Sequence, residues 1–149
     1  YTPYEGGHRL PFIVRWDGVI AAGTNDALVS LVDLGATFAA LRGVAVPQEA
    51  LPDSFDQSAT FLDSAKPSAR GNLICQDYRL NLREGNWKYI VPGPAGNTPG
   101  PKNNPLNGEL YDLTTDPAEK TNLVKRQPER AKAMYATLLK AIQAGRTRP

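Results

Sequence analysis

The sequence predicts an α+β fold in which a small antiparallel sheet is packed by a C-terminal helix. Residues 78–83 and 87–91 alternate polar and apolar side chains on either side of a turn at 84–86. Residues 109–113 add a further short strand, and residues 128–144 repeat apolar side chains at helical spacing. A strand and a helix predicted before residue 45 have no partners in this unit, so they are expected to belong to something larger.

The chain opens with a polar loop that leads into an apolar run. Residues 4–9 crowd polar side chains around the Gly6-Gly7 hinge, and residues 12–16 predict a buried strand that ends at the Asp17-Gly18 turn. A helix is predicted over 27–41, after three residues typical of N-caps: Thr24, Asn25 and Asp26. Gly35 either permits close packing within that helix or marks a break between two short helices.

The second half carries the sheet. Residues 44–70 are rich in Pro, Asp and Ser and predict an irregular crossing segment with a short helix near 56–63. The strands at 72–76, 78–83 and 87–91 predict an antiparallel meander with one face in water. Residues 92–108 predict a loop without a core. The last helix begins at Pro128 and ends before Gly145, with an apolar stripe of Ala131, Met134, Tyr135, Leu138, Leu139 and Ile142.

Composition excludes several classes of function. Hydrophobic residues make up 41% of the 149 residues and charged residues 21%, as in a globular domain, and the net charge of +2 is too small to indicate nucleic-acid binding. No stretch approaches the roughly 20 apolar residues of a membrane span. One cysteine and one histidine exclude an internal disulfide, a cysteine-rich zinc site and a histidine-based metal cluster. Few residues are therefore left to carry catalysis.

The loop at 4–9 is the candidate site. His8 is interpreted either as a loop histidine bonded to a backbone carbonyl or as a contact to an anion or hydroxyl. Arg9 is suited to a carboxylate of the protein or to a ligand oxygen. Glu5 is interpreted as a general base or, more simply, as a partner of Arg9 or of backbone donors. Cys75 lies in a predicted strand without a nearby base, which favours a structural role over a nucleophilic thiol.

Three stretches together resemble the C-terminal portion of type I sulfatases, of the arylsulfatase A and bacterial sulfatase branch. The first is Tyr4-Glu5-Gly6-Gly7-His8-Arg9, followed by Trp16-Asp17-Gly18. The second is Arg83-Glu84-Gly85-Asn86-Trp87-Lys88, and the third is Glu109-Leu110-Tyr111-Asp112-Leu113 with Asp116-Pro117, Glu119 and Asn122-Leu123. Three motifs in the family's order make this resemblance specific.

The resemblance implies an alkaline-phosphatase-like α/β fold that hydrolyses sulfate esters. Residues 1–45 are then the last strand, active-site loop and helix of the main domain, residues 46–70 a crossing segment, and residues 71–149 the C-terminal sheet and helix. The family's nucleophile is a formylglycine, and a calcium ion polarises the sulfate. Both are expected in an upstream part, because Cys75 is not in the modification motif and the Asp-rich metal motifs are absent. No catalytic residue, metal ligand or bound cofactor is predicted in these 149 residues.

The resemblance also places a sulfate-binding lysine immediately before Tyr1, which predicts that the chain is a C-terminal fragment. Relatives often carry a histidine before the second motif, where this sequence has Cys75-Gln76-Asp77-Tyr78. The residues expected to contact substrate are therefore Tyr4, Glu5, His8, Arg9, Gln76 and Asp77.

The leading interpretation is a sulfatase portion that supplies wall and closure to an active site and is inactive alone. Its expected partners are the upstream half of the same polypeptide and a sulfate ester, in the periplasm or outside the cell. The alternatives are a phosphate or phosphonate monoester hydrolase of the same superfamily, and a non-catalytic binding or assembly module. If the fragment stands alone, we expect its apolar strand and helix to be swapped between copies or covered by a partner.

Overall fold

The computed structural model describes residues 2–94 and 99–149. The chain divides into two compact units. The first comprises Tyr1–Leu10 with Asn72–Ala144, and the second comprises Pro11–Gly71 with Gly145–Pro149.

The first unit is built on a four-stranded antiparallel sheet in the order β1-β2-β3-β4. Its strands are β1 (Asn72–Gln76), β2 (Leu80–Glu84), β3 (Trp87–Ile90) and β4 (Glu109–Asp112). β2 and β3 are joined by a two-residue turn in which Gly85 takes the left-handed conformation, with φ at +56°. The predicted meander is confirmed. It could be predicted because alternation and turn residues are local signals in the sequence.

One face of the sheet holds the core of this unit. The C-terminal helix α4 (Pro128–Ala144) packs on it, and Ala131, Met134 and Leu138 are buried against Leu82, Tyr89 and Leu110. A 3₁₀ turn at Pro105–Asn107 adds Leu106 to this cluster, and the Tyr89 hydroxyl donates to the Pro105 carbonyl at 2.7 Å. The loop predicted to lack a core thus contributes to one, although its residues 95–98 lie outside the described ones.

The other face of the sheet is covered rather than wet. Asn81 and Lys88 project from it and are only 2% and 1% exposed. A short helical turn, α1 (Glu5–His8), supplies partners for the polar side chains on this face. The prediction of a face in water is wrong, because alternating polar residues are also compatible with burial when each finds a partner.

The second unit contains a 3₁₀ turn at Leu31–Asp33, α2 (Leu34–Leu41) and α3 (Ser58–Leu62). Its polar centre is Asp33, which is fully buried. The Asp33 carboxylate accepts hydrogen bonds from the Arg70 guanidinium, from the Ser30 and Phe55 backbone N–H groups at 3.0 Å, and from the Gln57 amide at 3.3 Å. The short helix predicted near 56–63 is confirmed.

Two predictions in this unit are wrong. The strand predicted at 12–16 does not form, because no strand among residues 2–94 and 99–149 pairs with it, and Ile13 is 87% exposed. The helix predicted from residue 27 begins later, because Ser30 and Asp33 form a capping box and Ser30 is extended. In addition, the Leu28 carbonyl accepts the Ser68 hydroxyl at 2.6 Å instead of continuing a helix.

Across residues 2–94 and 99–149, none of the helices combines the length and the apolar character that crossing a membrane requires.

Candidate functional site

The glycine-hinged segment begins as a single helical turn against the sheet of the first unit. The Gly7 N–H donates to the Tyr4 carbonyl at 2.9 Å, and the Arg9 N–H donates to the Glu5 carbonyl at 2.8 Å. A Cβ atom on Gly7 would lie 2.6 Å from the Thr2 carbonyl oxygen, a distance that side chains do not tolerate. Glycine at position 7 therefore permits the close approach that folds the segment back on itself.

Glu5 ties this turn to the centre of the sheet. Its carboxylate accepts from Arg83 at 3.0 Å on one oxygen and from Lys88 at 3.1 Å on the other. Arg83 and Lys88 are directly opposite each other on β2 and β3. The predicted Glu5–Arg9 pair is not formed, and Arg9 is exposed. Glu5 thus has both oxygens engaged by the protein and orders the segment.

Lys88 also pairs with a second carboxylate, that of Glu119. Its ammonium lies 3.1 Å from Glu119 Oε1, while the backbone N–H of Glu5 donates to Glu119 Oε2. The side chains of Lys88 and Glu119 are 1% and 2% exposed. Two carboxylates and the cations of Lys88 and Arg83 therefore form a charge-balanced cluster, which we call the Lys88 cluster (Glu5, Arg83, Lys88 and Glu119).

Tyr4 is held by a neighbouring polar group at the edge of the sheet. Its hydroxyl donates to Glu109 Oε2 at 2.9 Å, the Tyr111 hydroxyl donates to the same oxygen at 2.6 Å, and Arg79 binds the other oxygen. The rings of Tyr4 and Tyr111 meet edge to face at 6.2 Å.

The contacts around Glu109 shift the pKa values of Glu109, Tyr4 and Tyr111. Burial raises the pKa of the Glu109 carboxyl, but hydrogen bonds from Tyr111, Arg79 and Tyr4 outweigh it, so the pKa lies below its ordinary value. Burial and the adjacent Glu109 carboxylate raise the pKa of both Tyr4 and Tyr111. Both tyrosines are therefore neutral donors to an ionised Glu109 at neutral pH.

His8 stands at the end of the turn, against Asp77 from the β1–β2 connection. His8 Nδ1 lies 2.9 Å from Asp77 Oδ2, with side chains 17% and 21% exposed. The two side chains are in contact without an aligned hydrogen bond, because the buried Asp77 Oδ2 atom has no hydrogen-bond partner among the described residues. The other ring nitrogen, His8 Nε2, is also buried and has no hydrogen-bond partner among these residues. His8 Nε2 therefore has its hydrogen-bonding capacity left for another group.

The six predicted site residues take different places. The structure brings His8 and Asp77 into contact, places Tyr4 and Glu5 in protein-held positions, and leaves Arg9 and Gln76 exposed. Their contact with a substrate stays a prediction. Cys75 lies in β1 and is partly exposed.

Sequence reasoning missed the side chains that hold the segment. Lys88, Arg83 and Glu119 were assigned no role, and neither were the partners of Tyr4: Arg79, Glu109 and Tyr111. A usable signal was present in β2 and β3, where Arg83 and Lys88 occupy the alternate positions opposite the core face.

The calcium ion that the resemblance implies is expected in the upstream part, and its site stays a prediction. Over 2–94 and 99–149, no three side chains of His, Cys, Asp or Glu are grouped so that they could hold a metal ion.

Known proteins similar to the chain are sulfatases. The N-acetylgalactosamine-6-O-sulfatase of Bacteroides thetaiotaomicron is 38% identical over 87% of the chain and 26% of its own length. Human arylsulfatase A is 34% identical over 83% of the chain and 27% of its own length. The chain thus spans about a quarter of the length of these curated relatives. No protein-family model matches it.

Solved structures agree with this assignment. A structure from work on glycosaminoglycan metabolism by Bacteroides thetaiotaomicron matches 97% of the chain and 31% of its own length, with a TM-score of 0.80 and 32% identity. Another, in complex with its substrate D-glucosamine-2-N,6-O-disulfate, matches 89% of the chain and 27% of its own length with a TM-score of 0.64; at 22% identity it shows the fold alone. By sequence and by fold, the chain therefore belongs to the sulfatase family, and its antiparallel sheet and C-terminal helix are consistent with the C-terminal portion of such a protein.

Proposed function

We propose that the chain serves sulfate-ester hydrolysis as the C-terminal part of a longer polypeptide, in which it forms a wall of the active site. The observation that carries this proposal is the buried Nε2 atom of His8, which has no hydrogen-bond partner among the described residues. A buried polar atom without a partner is costly, and a ligand oxygen is the kind of group that satisfies it.

The chemistry of the segment suits an anionic group. The buried Nε2 atom of His8 has no protein partner among the described residues, and an N–H at this ring position donates to an anion's oxygen. The next residue, Arg9, is exposed and adds a fixed positive charge with planar donors. We therefore assign contact with the sulfate ester to His8 and Arg9, orientation of the imidazole to Asp77, and an exposed polar position beside them to Gln76. Tyr4 and Glu5 order the loop.

The upstream polypeptide is proposed to supply the nucleophile and the metal. Two properties support a missing partner: the chain spans about a quarter of its relatives, and it exposes large apolar side chains in the second unit. Ile13, Leu31 and Phe38 are 87%, 66% and 59% exposed, which is unusual for a surface left in water. We propose that the upstream part covers this surface and that the enzyme acts in the periplasm or outside the cell.

The test compares the 149-residue chain with the full reading frame that encodes it. We expect the full product to hydrolyse 4-nitrophenyl sulfate or a 6-sulfated amino sugar, and the chain alone to hydrolyse neither. Turnover by the chain alone would refute the division of labour. Faster hydrolysis of 4-nitrophenyl phosphate than of the sulfates would favour the phosphate-ester alternative, and inactivity of the full product towards every ester would favour a binding module.

The site assignment needs its own variants. In the full product, His8→Ala is expected to lower kcat/KM for the sulfate ester by at least tenfold, because it removes a donor to the reacting group. Glu129→Gln, at an exposed position on α4, is the matched control and is expected to change nothing. An unchanged kcat/KM in His8→Ala would remove His8 from the site.

A further inference from the structure

The Lys88 cluster links side chains that are far apart in the sequence to the turn that carries His8. Along the sequence, Glu5 is 83 residues from Lys88 and 114 residues from Glu119. We infer that Lys88 and Glu119 are positioning residues, which set the orientation of His8 by fixing Glu5 at the start of its turn. The expected loss of activity rests on the function proposed above, whereas the expected change in the orientation of His8 does not.

The contacts fix both parts of Glu5. The Glu5 side chain is held by Lys88 and Arg83, and its backbone N–H is held by the same Glu119 carboxylate that pairs with Lys88. A residue held at both its backbone and its side chain has little freedom to change its torsion angles. The Glu5 carbonyl in turn accepts the Arg9 N–H, so the position of Glu5 is passed directly to the end of the turn. His8 is thereby set against Asp77.

Glu119 is itself held in an unusual backbone conformation. Its φ is +53°, in the left-handed region that residues with a side chain rarely adopt. Its N–H donates to the Asp116 carbonyl, and the Asp116 carboxylate accepts from the N–H groups of Lys120 and Thr121. The turn therefore places the Glu119 carboxylate against Lys88 and Glu5 while keeping the Glu119 backbone in a strained conformation. Strained backbone conformations of this kind cluster at sites where the position of a side chain is functionally important.

The burial of the cluster distinguishes it from a surface ion pair. Surface pairs hold long side chains weakly, but Lys88 and Glu119 are almost fully enclosed and each has a charged partner. Lys88→Met leaves the buried Glu119 carboxylate without its cation, and Glu119→Gln leaves Lys88 with Glu5 as its one carboxylate partner in the cluster, so the remaining groups are expected to rearrange or take up water. Either response releases Glu5 and with it the turn.

The lone histidine of the chain makes this testable by NMR. In the 149-residue chain, the imidazole signals of His8 are expected to differ from those of an exposed histidine, because its ring is largely buried beside Asp77. In Glu119→Gln, which keeps the size of the side chain, and in Lys88→Met, we expect these signals to move to exposed-histidine values. Slow hydrogen exchange at the Leu82 and Tyr89 amides verifies that the sheet remains folded.

Two control variants separate positioning from lost stability. Met134→Ala weakens the core on the opposite face of the sheet and is expected to leave the His8 signals in place. Lys132→Met removes an exposed lysine and is expected to do the same. His8 signals that stay unchanged in both Glu119→Gln and Lys88→Met, with the sheet folded, would overturn the inference.

Activity supplies an independent second measurement. In the full reading-frame product, Glu119→Gln and Lys88→Met are expected to lower kcat/KM for a sulfate ester by about 10- to 100-fold, as the loss of groups that orient a ligand does elsewhere. Combining either with His8→Ala is expected to add little further loss, whereas full additivity would contradict a role through His8. A wild-type product without activity would reject the proposed function and leave the NMR result to decide the positioning role.

Discussion

Removing the Lys88 ammonium should destabilise the first unit by an amount that its contacts allow us to estimate. Lys88 lies 3.1 Å from a carboxylate oxygen of Glu5 and 3.1 Å from one of Glu119. At an effective dielectric constant of about 20, each such contact is worth about 5 kcal/mol of attraction before the cost of burying the charges. Lys88→Met loses both attractions while the carboxylates stay largely enclosed, so we expect a loss of about 3–5 kcal/mol in the free energy of unfolding.

A second variant shows whether the loss comes from the carboxylates that remain. Glu119→Gln removes one of them, so the double variant Lys88→Met/Glu119→Gln should lose about 1–3 kcal/mol less than the sum of the single losses. Such a coupling is expected only if Lys88 and Glu119 interact in the folded protein.

Urea unfolding followed by tryptophan fluorescence measures these quantities. The chain has two tryptophans, Trp16 in the second unit and Trp87 on β3. A Trp16→Phe background leaves Trp87 as the reporter of the unit that holds Lys88. Lys132→Met, in which an exposed lysine loses its pair with Glu129, should cost less than about 0.5 kcal/mol. If Lys88→Met costs no more than this control, or if the double variant is additive, the reasoning is refuted.

Three further predictions concern the same fold. Tyr4→Phe removes a donor to the Glu109 carboxylate and should lower the free energy of unfolding by about 1.5 kcal/mol in urea titrations. Gly85→Ala forces a side chain into the left-handed region and should cost about 1 kcal/mol in the same assay, whereas Asn86→Ala should cost less. Glu109 and Asp33 have pKa values below their ordinary ones, so their stabilisation is complete above those ordinary values and is lost as the pH falls through the folded-state pKa values. The urea midpoint should therefore drop on acidification below about pH 4, and Glu109→Gln should lack the part of that drop that Glu109 contributes while keeping the part from Asp33.

The parts of the fold that the sequence predicted are those with local causes. The strands β2 and β3 follow from alternation of period two and from the turn at Gly85 between them, and α4 follows from its apolar stripe between Pro128 and Gly145. The strand at 12–16 was wrong because a strand exists only if a neighbour accepts its hydrogen bonds, which an apolar run does not reveal. The helix start was wrong because Ser30 and Asp33 cap later than Thr24 to Asp26.

The candidate site was predictable only in outline. Polar residues around Gly6-Gly7 drew attention to His8 and Glu5, and their contact with a substrate stays a prediction. Their partners were not predictable, because a charge such as Lys88 in an amphipathic strand is ordinarily solvent-exposed. Only the folded chain shows that Glu5, 83 residues away, covers it.

The Lys88 cluster gives a physical reason why the three stretches that resemble sulfatases occur together. Glu5 comes from the first stretch, Arg83 and Lys88 from the second, and Glu119 from the third. The buried Lys88 ammonium needs at least one of the two carboxylates, and the buried Glu119 carboxylate needs Lys88, since an unpaired buried charge costs several kcal/mol. A change in any one stretch therefore penalises the others, even though none of the four side chains needs to touch a substrate. On this argument, a chain that has Glu5 but lacks Lys88 and Glu119 should not hold His8 against Asp77, and a chain that replaces all the cluster's charges with apolar groups of similar volume should fold stably yet leave the turn unanchored.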